Sequence, residues 1–287
     1  MNPDTFAARR AEFRKLHESG FFVIPNPWNV GTARYLRSLG FKALATTSSG
    51  LAFSEGLPDA DWAIPRDVAL EHIHTIVNAV NLPVNADFES GYAHSPKEVA
   101  ENVGLCIATG VAGLSIEDAT GDPANPLYDL PFAIERIRAA REATGDSGVL
   151  LTARAECFLV DCPDPLREAI TRLTAYAEAG ADVLYAPGIS TRAEVEAIVA
   201  AVRPKPVNVL LASSRGLSLK ELAAIGVRRV SVGSALARAS WSGFLHAATM
   251  MARENSMEGL DNAIPFSELN NFFRKDVRDR VTEEFDQ

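Results

Sequence analysis

Acidic residues gather where short apolar runs end. In Val84-Asn-Ala-Asp87-Phe-Glu89-Ser-Gly91-Tyr92 two carboxylates stand two positions apart, and the period of an extended strand sets Asp87 and Glu89 on one face. Leu114-Ser-Ile-Glu117-Asp118 adds two more, which adjacency sends to opposite faces. Like charges that converge at low dielectric repel unless a cation joins them. Oxygen donors with no clustered His or Cys select a hard divalent ion, Mg2+ with Mn2+ as the alternative. The competing reading is carboxylates that cap helices or pair with Arg and Lys. Leu151-Thr-Ala-Arg154-Ala-Glu156 supplies one guanidinium, which either binds a substrate carboxylate through two parallel hydrogen bonds or forms an ion pair with Glu156. Thr46-Thr47-Ser48-Ser49-Gly50-Leu51 offers hydroxyls and backbone N–H groups to an anion or a developing oxyanion, and is also an ordinary turn composition.

These segments need a scaffold that brings strand ends together. Short apolar runs alternate with helical patterns from Gly20 to about Leu245, and no low-complexity linker interrupts them. Strands are expected at Phe22–Ile24, Ala43–Thr46, Val84–Ala86, Gly113–Ile116, Val149–Ala153, Asp182–Tyr185, Val207–Leu210 and Arg229–Val232, each apolar enough for a parallel strand buried on both faces. Thr191-Arg-Ala-Glu194, Ser95-Pro-Lys-Glu98 and Ser218-Leu-Lys-Glu221 read as capping boxes that start helices. Gly40, Gly110, Gly180 and Gly226 stand just before alternate strands, where a helix must end in a left-handed turn. Eight βα units predict an α/β fold, a closed (β/α)8 TIM barrel, with a doubly wound open sheet as runner-up that lacks the Gly-rich phosphate loop. The barrel is expected over residues 1–248. Residues 249–287, with Phe266, Leu269, Phe272, Phe273 and Val277 at helical spacing, form a C-terminal helical extension that packs on the barrel or on a neighbouring subunit.

Composition narrows the class of chemistry. The 287 residues are 47% hydrophobic and 23% charged, which describes a globular chain, and the net charge of -9 argues against a nucleic-acid or anionic membrane partner. Small-molecule chemistry is expected instead. Cys106, Cys157 and Cys162 are an odd set suited to a reducing compartment, and no signal peptide or bilayer-spanning run is evident, so the expected location is cytoplasmic.

In this order, the motifs resemble the isocitrate lyase and phosphoenolpyruvate mutase superfamily over about Pro25 to Ser240. Its Asp-x-Asp-x-Gly-Tyr signature is similar to Asp87-Phe-Glu89-Ser-Gly91-Tyr92, with Glu for the second Asp. Its Glu-Asp pair is similar to Glu117-Asp118, its Ala-Arg-x-acid segment to Ala153-Arg154-Ala155-Glu156, and its Ser-x-Gly loop with a downstream acid to Ser48-Ser49-Gly50 and Asp59. Asn208 approximates a family asparagine. The resemblance implies magnesium held by Asp87, Glu89, Glu117 and Asp59, and substrate bound by Ser48, Ser49, Gly50, Arg154 and Asn208. It also implies a homodimer or homotetramer, commonly with the last helix exchanged between subunits. The isocitrate and methylisocitrate lyases carry Lys-x-Cys-Gly-His in a mobile loop, where this chain has Ala119 to Asp129 with no Lys, Cys or His. That departure favours a lyase for a small α-oxo or 2-hydroxy acid, by oxaloacetate-like decarboxylation or hydrolysis. Arg154 would orient the substrate, and Tyr92 or His94 would move protons. For His94 the plainer reading, a solvated loop residue just before the Ser95 cap, is the favoured one. The alternatives are a phosphonopyruvate hydrolase or mutase that acts on a P–C bond, and a non-catalytic oxo-acid-binding protein.

Overall fold

The computed structural model describes residues 3–60 and 62–285. They form two compact units, Met1–Leu236 and Ala237–Gln287. The first contains eight parallel strands: β1 (Phe22–Ile24), β2 (Leu44–Ala45), β3 (Val84–Asp87), β4 (Gly113–Glu117), β5 (Leu150–Arg154), β6 (Val183–Tyr185), β7 (Val207–Leu210) and β8 (Arg229–Ser231). They pair in the order β1-β8-β7-β6-β5-β4-β3-β2, and the remaining seam is joined where Ala45 N–H donates to the Pro25 carbonyl at 3.1 Å. The result is the expected (β/α)8 TIM barrel, with each expected strand found within one or two residues.

The strands alternate as their sequence requires. Leu114, Ile116, Leu151, Ala153, Val207 and Val209 face outward into the main core beneath the surrounding helices. The opposite set faces the barrel interior. Its lower end is apolar: the helix Pro3–Glu18 inserts Phe13 among Phe22, Ile24, Ala43, Ala45 and Leu150. Full burial of one such ring contributes about 1.5–3 kcal/mol. Gly113 makes room for this plug, since a Cβ there would lie 2.7 Å from the Phe13 ring and 2.7 Å from Asn85 Oδ1.

The helix starts are realised at the opposite end. Thr191 and Ser218 form complete capping boxes with Glu194 and Glu221, while Ser95 caps with its own hydroxyl only, because Glu98 bonds that hydroxyl rather than the backbone N–H. Gly40, Gly110, Gly180 and Gly226 all have left-handed backbone. The three cysteines are free, with Cys106 and Cys157 buried.

The second unit comprises most of the helix Ala235–Thr249, a π-turn at Met250–Glu254, a short 3-10 turn at Glu258–Leu260 and the helix Phe266–Phe285. Phe244, Leu245, Met257 and Phe266 are exposed on it, Phe266 by 84%. Among the described residues no helix is long and apolar enough to cross a membrane.

Candidate active site

Arg154, the last residue of β5, organises the upper end of the barrel. Its Nε donates to Glu156 Oε1 at 2.8 Å, and its Nη1 lies 2.9 Å from Asp87 Oδ1 and 3.1 Å from Glu117 Oε2. Register explains the convergence, since Glu117 pairs with Arg154 across β4 and β5 while Asp87 ends the next strand. Burial opposes the charge on this guanidinium, but Glu156, Glu117 and Asp87 together outweigh it and hold the pKa well above the ordinary arginine value. Nη2 has no protein partner among the described residues, which leaves one edge for a substrate carboxylate.

Asp87 is held from the other side by Ser48, whose N–H and Oγ–H each donate to Oδ2 at 3.0 Å. Ser48 opens the short helix Ser48–Ser54, capped by Thr47, so the Ser/Gly stretch is a first helical turn rather than a loop. Gly50 is required there: a Cβ would lie 2.5 Å from Thr47 Cγ2 and 2.9 Å from Trp28 Cβ. Asp59 lies on the exposed lip and bonds Ser49 and Ser48. Desolvation, then the neighbouring Asp87, raises its carboxyl above the usual range against those bonds.

The two-residue alternation stops at Asp87. Glu89 has φ 45° and Tyr92 φ 53°, both left-handed, a conformation that costs a non-glycine residue about 1–2 kcal/mol. The turn is pinned where Gly91 N–H donates to the Phe88 carbonyl and Asn102 donates to the Gly91 and Tyr92 carbonyls. Glu89 therefore reaches the cluster from a turn rather than from the strand face that the sequence pattern implied. Its Oε1 accepts from the Tyr92 hydroxyl at 2.8 Å, and desolvation pushes its pKa up to about 7, with Asp87 adding to the rise and the Tyr92 bond opposing it. Burial, then Glu89, moves the Tyr92 hydroxyl far above its ordinary value. Burial likewise raises Glu117 well above the carboxylate range, although Arg154 pulls it down.

Three carboxylates, from Asp87, Glu117 and Glu156, thus share one guanidinium, and Asp59 and Glu89 stand beside them. This excess of acids over cations and the all-oxygen donor set fit a divalent ion. Among the described residues no three His, Cys, Asp or Glu groups converge to hold a metal by themselves. That suits Mg2+, which keeps several waters and uses one or two carboxylates plus substrate oxygens.

The sequence reading left three supports unassigned. Asp118, turned outward as adjacency requires, accepts from Glu156 N–H at 2.9 Å, from Arg172 at 3.1 Å and from the Tyr176 hydroxyl at 2.5 Å. Asp118, Arg172 and Tyr176 so fix the segment that carries Arg154 and Glu156, and sequence distance concealed their contact. Asn208 lies inside the barrel, 1% exposed, with Oδ1 accepting from Arg229 at 2.8 Å and Nδ2 donating to Ser231 Oγ at 3.0 Å.

Beside Glu89 and Glu117 opens a cavity of about 490 Å³, walled also by Trp62, His94, Thr120 and Asp122. Among the described residues its wall contains acids and one imidazole but no Lys or Arg.

Residues 13–252 match the family model described as phosphoenolpyruvate phosphomutase. A solved Burkholderia cenocepacia J2315 structure, described provisionally as a lyase/mutase, is 48% identical with a TM-score of 0.89, covering 94% of this chain and 98% of that one. An uncharacterised protein of Mycobacterium tuberculosis H37Rv is 32% identical over 260 residues, 90% of this chain and 94% of its own. The oxaloacetate decarboxylase of Bradyrhizobium sp. ORS 278 is 31% identical over 204 residues, 69% of each chain. The chain therefore belongs to the phosphoenolpyruvate phosphomutase family, as an enzyme of the isocitrate lyase/phosphoenolpyruvate mutase superfamily.

Proposed function

We propose that this enzyme is a Mg2+-dependent lyase of a small α-oxo or 2-hydroxy acid, and that oxaloacetate-like decarboxylation or hydrolysis is its reaction. The observation that carries the reading is the acid excess around Arg154 next to a cavity whose described wall offers no Lys or Arg. A phosphonate dianion would meet Glu89, Glu117 and Asp122 there without a compensating side chain, which favours C–C over P–C cleavage. The similarity to an oxaloacetate decarboxylase supports the same choice.

Asp87, Glu89, Glu117 and Asp59 would hold the ion, directly or through water. Once bound it would offset the negative charge that develops on the oxo oxygen as the adjacent bond breaks. The chain's own residues orient the reactant. Arg154 presents Nη2 to the carboxylate, while Asp87 and Glu117 prevent the guanidinium from swinging away. Ser48, Ser49 and Gly50 bound the pyruvyl end. Asn208, fixed by Arg229 and Ser231, forms the floor. The Tyr92 hydroxyl orients Glu89 instead of supplying a proton, because Glu89 already accepts from it.

The deciding experiment assays purified protein, with Mg2+ and with EDTA, against oxaloacetate, isocitrate, 2-methylisocitrate, dimethylmalate and phosphonopyruvate. Oxaloacetate turnover abolished by EDTA is expected. Isocitrate or methylisocitrate cleavage with kcat/KM above ~10⁴ M⁻¹s⁻¹, the lower end for ordinary enzymes, would sink the reading, as would preferential phosphonopyruvate hydrolysis. Full turnover by metal-stripped protein would refute the metal requirement. Exposed Phe244, Leu245 and Phe266 support assembly as a homodimer or homotetramer, which sedimentation at micromolar concentration tests; a monomer there would count against it. A cytoplasmic location accords with the free thiols.

A further inference from the structure

In the acid cluster Asp87, Glu117 and Glu156 hold Arg154, and Glu89 accepts from the Tyr92 hydroxyl. A second pair, one member of which lines the same cavity, stands outside that network. His94 lines the cavity with Glu89 and Glu117, and its Nδ1 lies 2.5 Å from the Tyr128 hydroxyl. Tyr128 closes the segment that follows β4. Its N–H donates to the Asp118 carbonyl at 3.0 Å, and its own carbonyl accepts from Arg172 at 2.9 Å.

One buried cation fixes both members of the pair. The Arg136 guanidinium lies 4.1 Å from the centre of the Tyr128 ring and donates to the Ser90, Ala93 and His94 carbonyls. Trp62 packs against the imidazole with ring centres 4.9 Å apart, and its Nε1 donates to Ser90 Oγ at 2.9 Å. With Nδ1 turned to Tyr128, Nε2 is the ring nitrogen left for the cavity. The charged groups around the ring are Arg136 behind it and Glu89, Glu117 and Asp122 on the cavity wall.

We propose that His94 exchanges a proton with the substrate carbon through Nε2, and that Tyr128 is the positioning residue that sets its ring and tautomer. The proposal rests on the α-oxo-acid lyase reading. In the imidazolium, Nδ1–H donates to the Tyr128 oxygen and Nε2–H faces the enolate left by bond cleavage. The Nε2–H bond breaks with its electron pair kept by nitrogen, the enolate pair forms the new C3–H bond, and the C2 oxygen returns to a carbonyl. Water reprotonates the neutral ring at its exposed edge. The segment from Ala119 to Asp129 thus contributes a hydroxyl that holds an imidazole from the preceding loop, in place of a thiol of its own.

The test follows exchange of solvent deuterium into the methyl group of pyruvate, by NMR with Mg2+ in D2O, beside oxaloacetate consumption. His94→Gln is expected to lower exchange by at least ~100-fold and oxaloacetate consumption by about tenfold or less, since enolpyruvate can leave and ketonise in water. Tyr128→Phe is expected to lower exchange by about tenfold and to displace the acid limb of its pH profile, which a purely structural role would not do. Imidazole should restore part of the exchange in His94→Ala and change nothing in the wild type. Exchange in His94→Gln within about threefold of wild type, in protein that consumes oxaloacetate, would overturn the proposal and leave the lyase reading standing. Absence of rescue in folded His94→Ala would also overturn it. Wild-type protein that neither consumes oxaloacetate nor exchanges pyruvate would overturn the lyase reading and this proposal with it.

Discussion

Arg154 and Arg229 point into the same barrel and meet opposite surroundings. Arg154 is surrounded by Asp87, Glu117 and Glu156. Arg229, 3% exposed, donates to Asn208 Oδ1 at 2.8 Å and Thr152 Oγ1 at 3.2 Å and lies 3.4 Å from His17 Nε2, with no carboxylate partner among the described residues. Burial lowers its pKa to about 10, whereas the carboxylates raise that of Arg154. The two belong to one row, for Arg154 pairs in register with Tyr185, Tyr185 with Asn208, and Asn208 with Arg229. In a staggered barrel a row along the hydrogen bonds descends as it crosses tilted strands. Residues in register therefore sit at different depths, one at the acid rim and one above the apolar plug. Charge is segregated along the barrel axis, with reactive anions confined to the end that opens.

The largest expected effect breaks the rim itself. Asp87→Asn removes the charge that Ser48 and Arg154 both engage, and should lower kcat/KM by at least ~10²–10³-fold, the range for losing one preorganised electrostatic contact. Steady-state assays on the substrate identified by the panel measure it. A loss under tenfold would mean that the cluster is not the reacting centre.

Next in size is the contrast between the arginines. Arg154→Met leaves one buried and two half-buried carboxylates without their cation and should cost ~3–5 kcal/mol in urea unfolding at pH 8, where fewer of them escape by protonation. Arg229→Met removes a cation that had no anion and strands the Asn208 acceptor, a cost of about 1–2 kcal/mol. The reverse order would break the axial segregation.

The lower end carries its own titration. His17 Nδ1–H donates to the Phe13 carbonyl at 2.8 Å, and burial, then Arg229, lowers its pKa to about 3 from an ordinary 6.5. Between those values the unfolded chain holds a proton that the folded one excludes. His17 therefore contributes stability that is fully present above pH 6.5 and is lost as pH falls toward 3, with a slope of at most ~1.4 kcal/mol per pH unit. His17→Gln should flatten that slope in urea titrations between pH 4 and 6, and an unchanged slope would show that the plug admits the proton.

These contrasts mark what the sequence could disclose. Local rules sufficed for the strands, the caps at Thr191 and Ser218 and the opposed directions of Glu117 and Asp118, because each depends on neighbours within four residues. Asp87 and Arg154 were legible as strand ends in a barrel. The left-handed turn at Glu89 was not, since it departs from the alternation on which the reading relied. Arg229 passed as an ordinary strand residue, because pairing is a matter of depth in the closed barrel. Tyr128 and His94, 34 residues apart, meet directly, and no local pattern announces that contact.

The smallest effect supplies a third arginine for the comparison. Arg192 has carboxylate partners, like Arg154: Glu221 at 2.8 Å and Glu196 at 3.4 Å. Its side chain is 48% exposed, against 14% for Arg154. Water and salt screen such a pair, and holding two long side chains in one geometry costs entropy, so proximity alone contributes little. Glu221 also keeps its bonds from the Ser218 N–H and hydroxyl when Arg192 is lost, and the capping box survives. Arg192→Met should therefore leave the urea midpoint and turnover unmoved in low salt. A midpoint shift approaching that of Arg154→Met would mean that the number of carboxylate partners, rather than their burial, sets what an arginine contributes here, and the distinction between rim and interior would lose its physical basis.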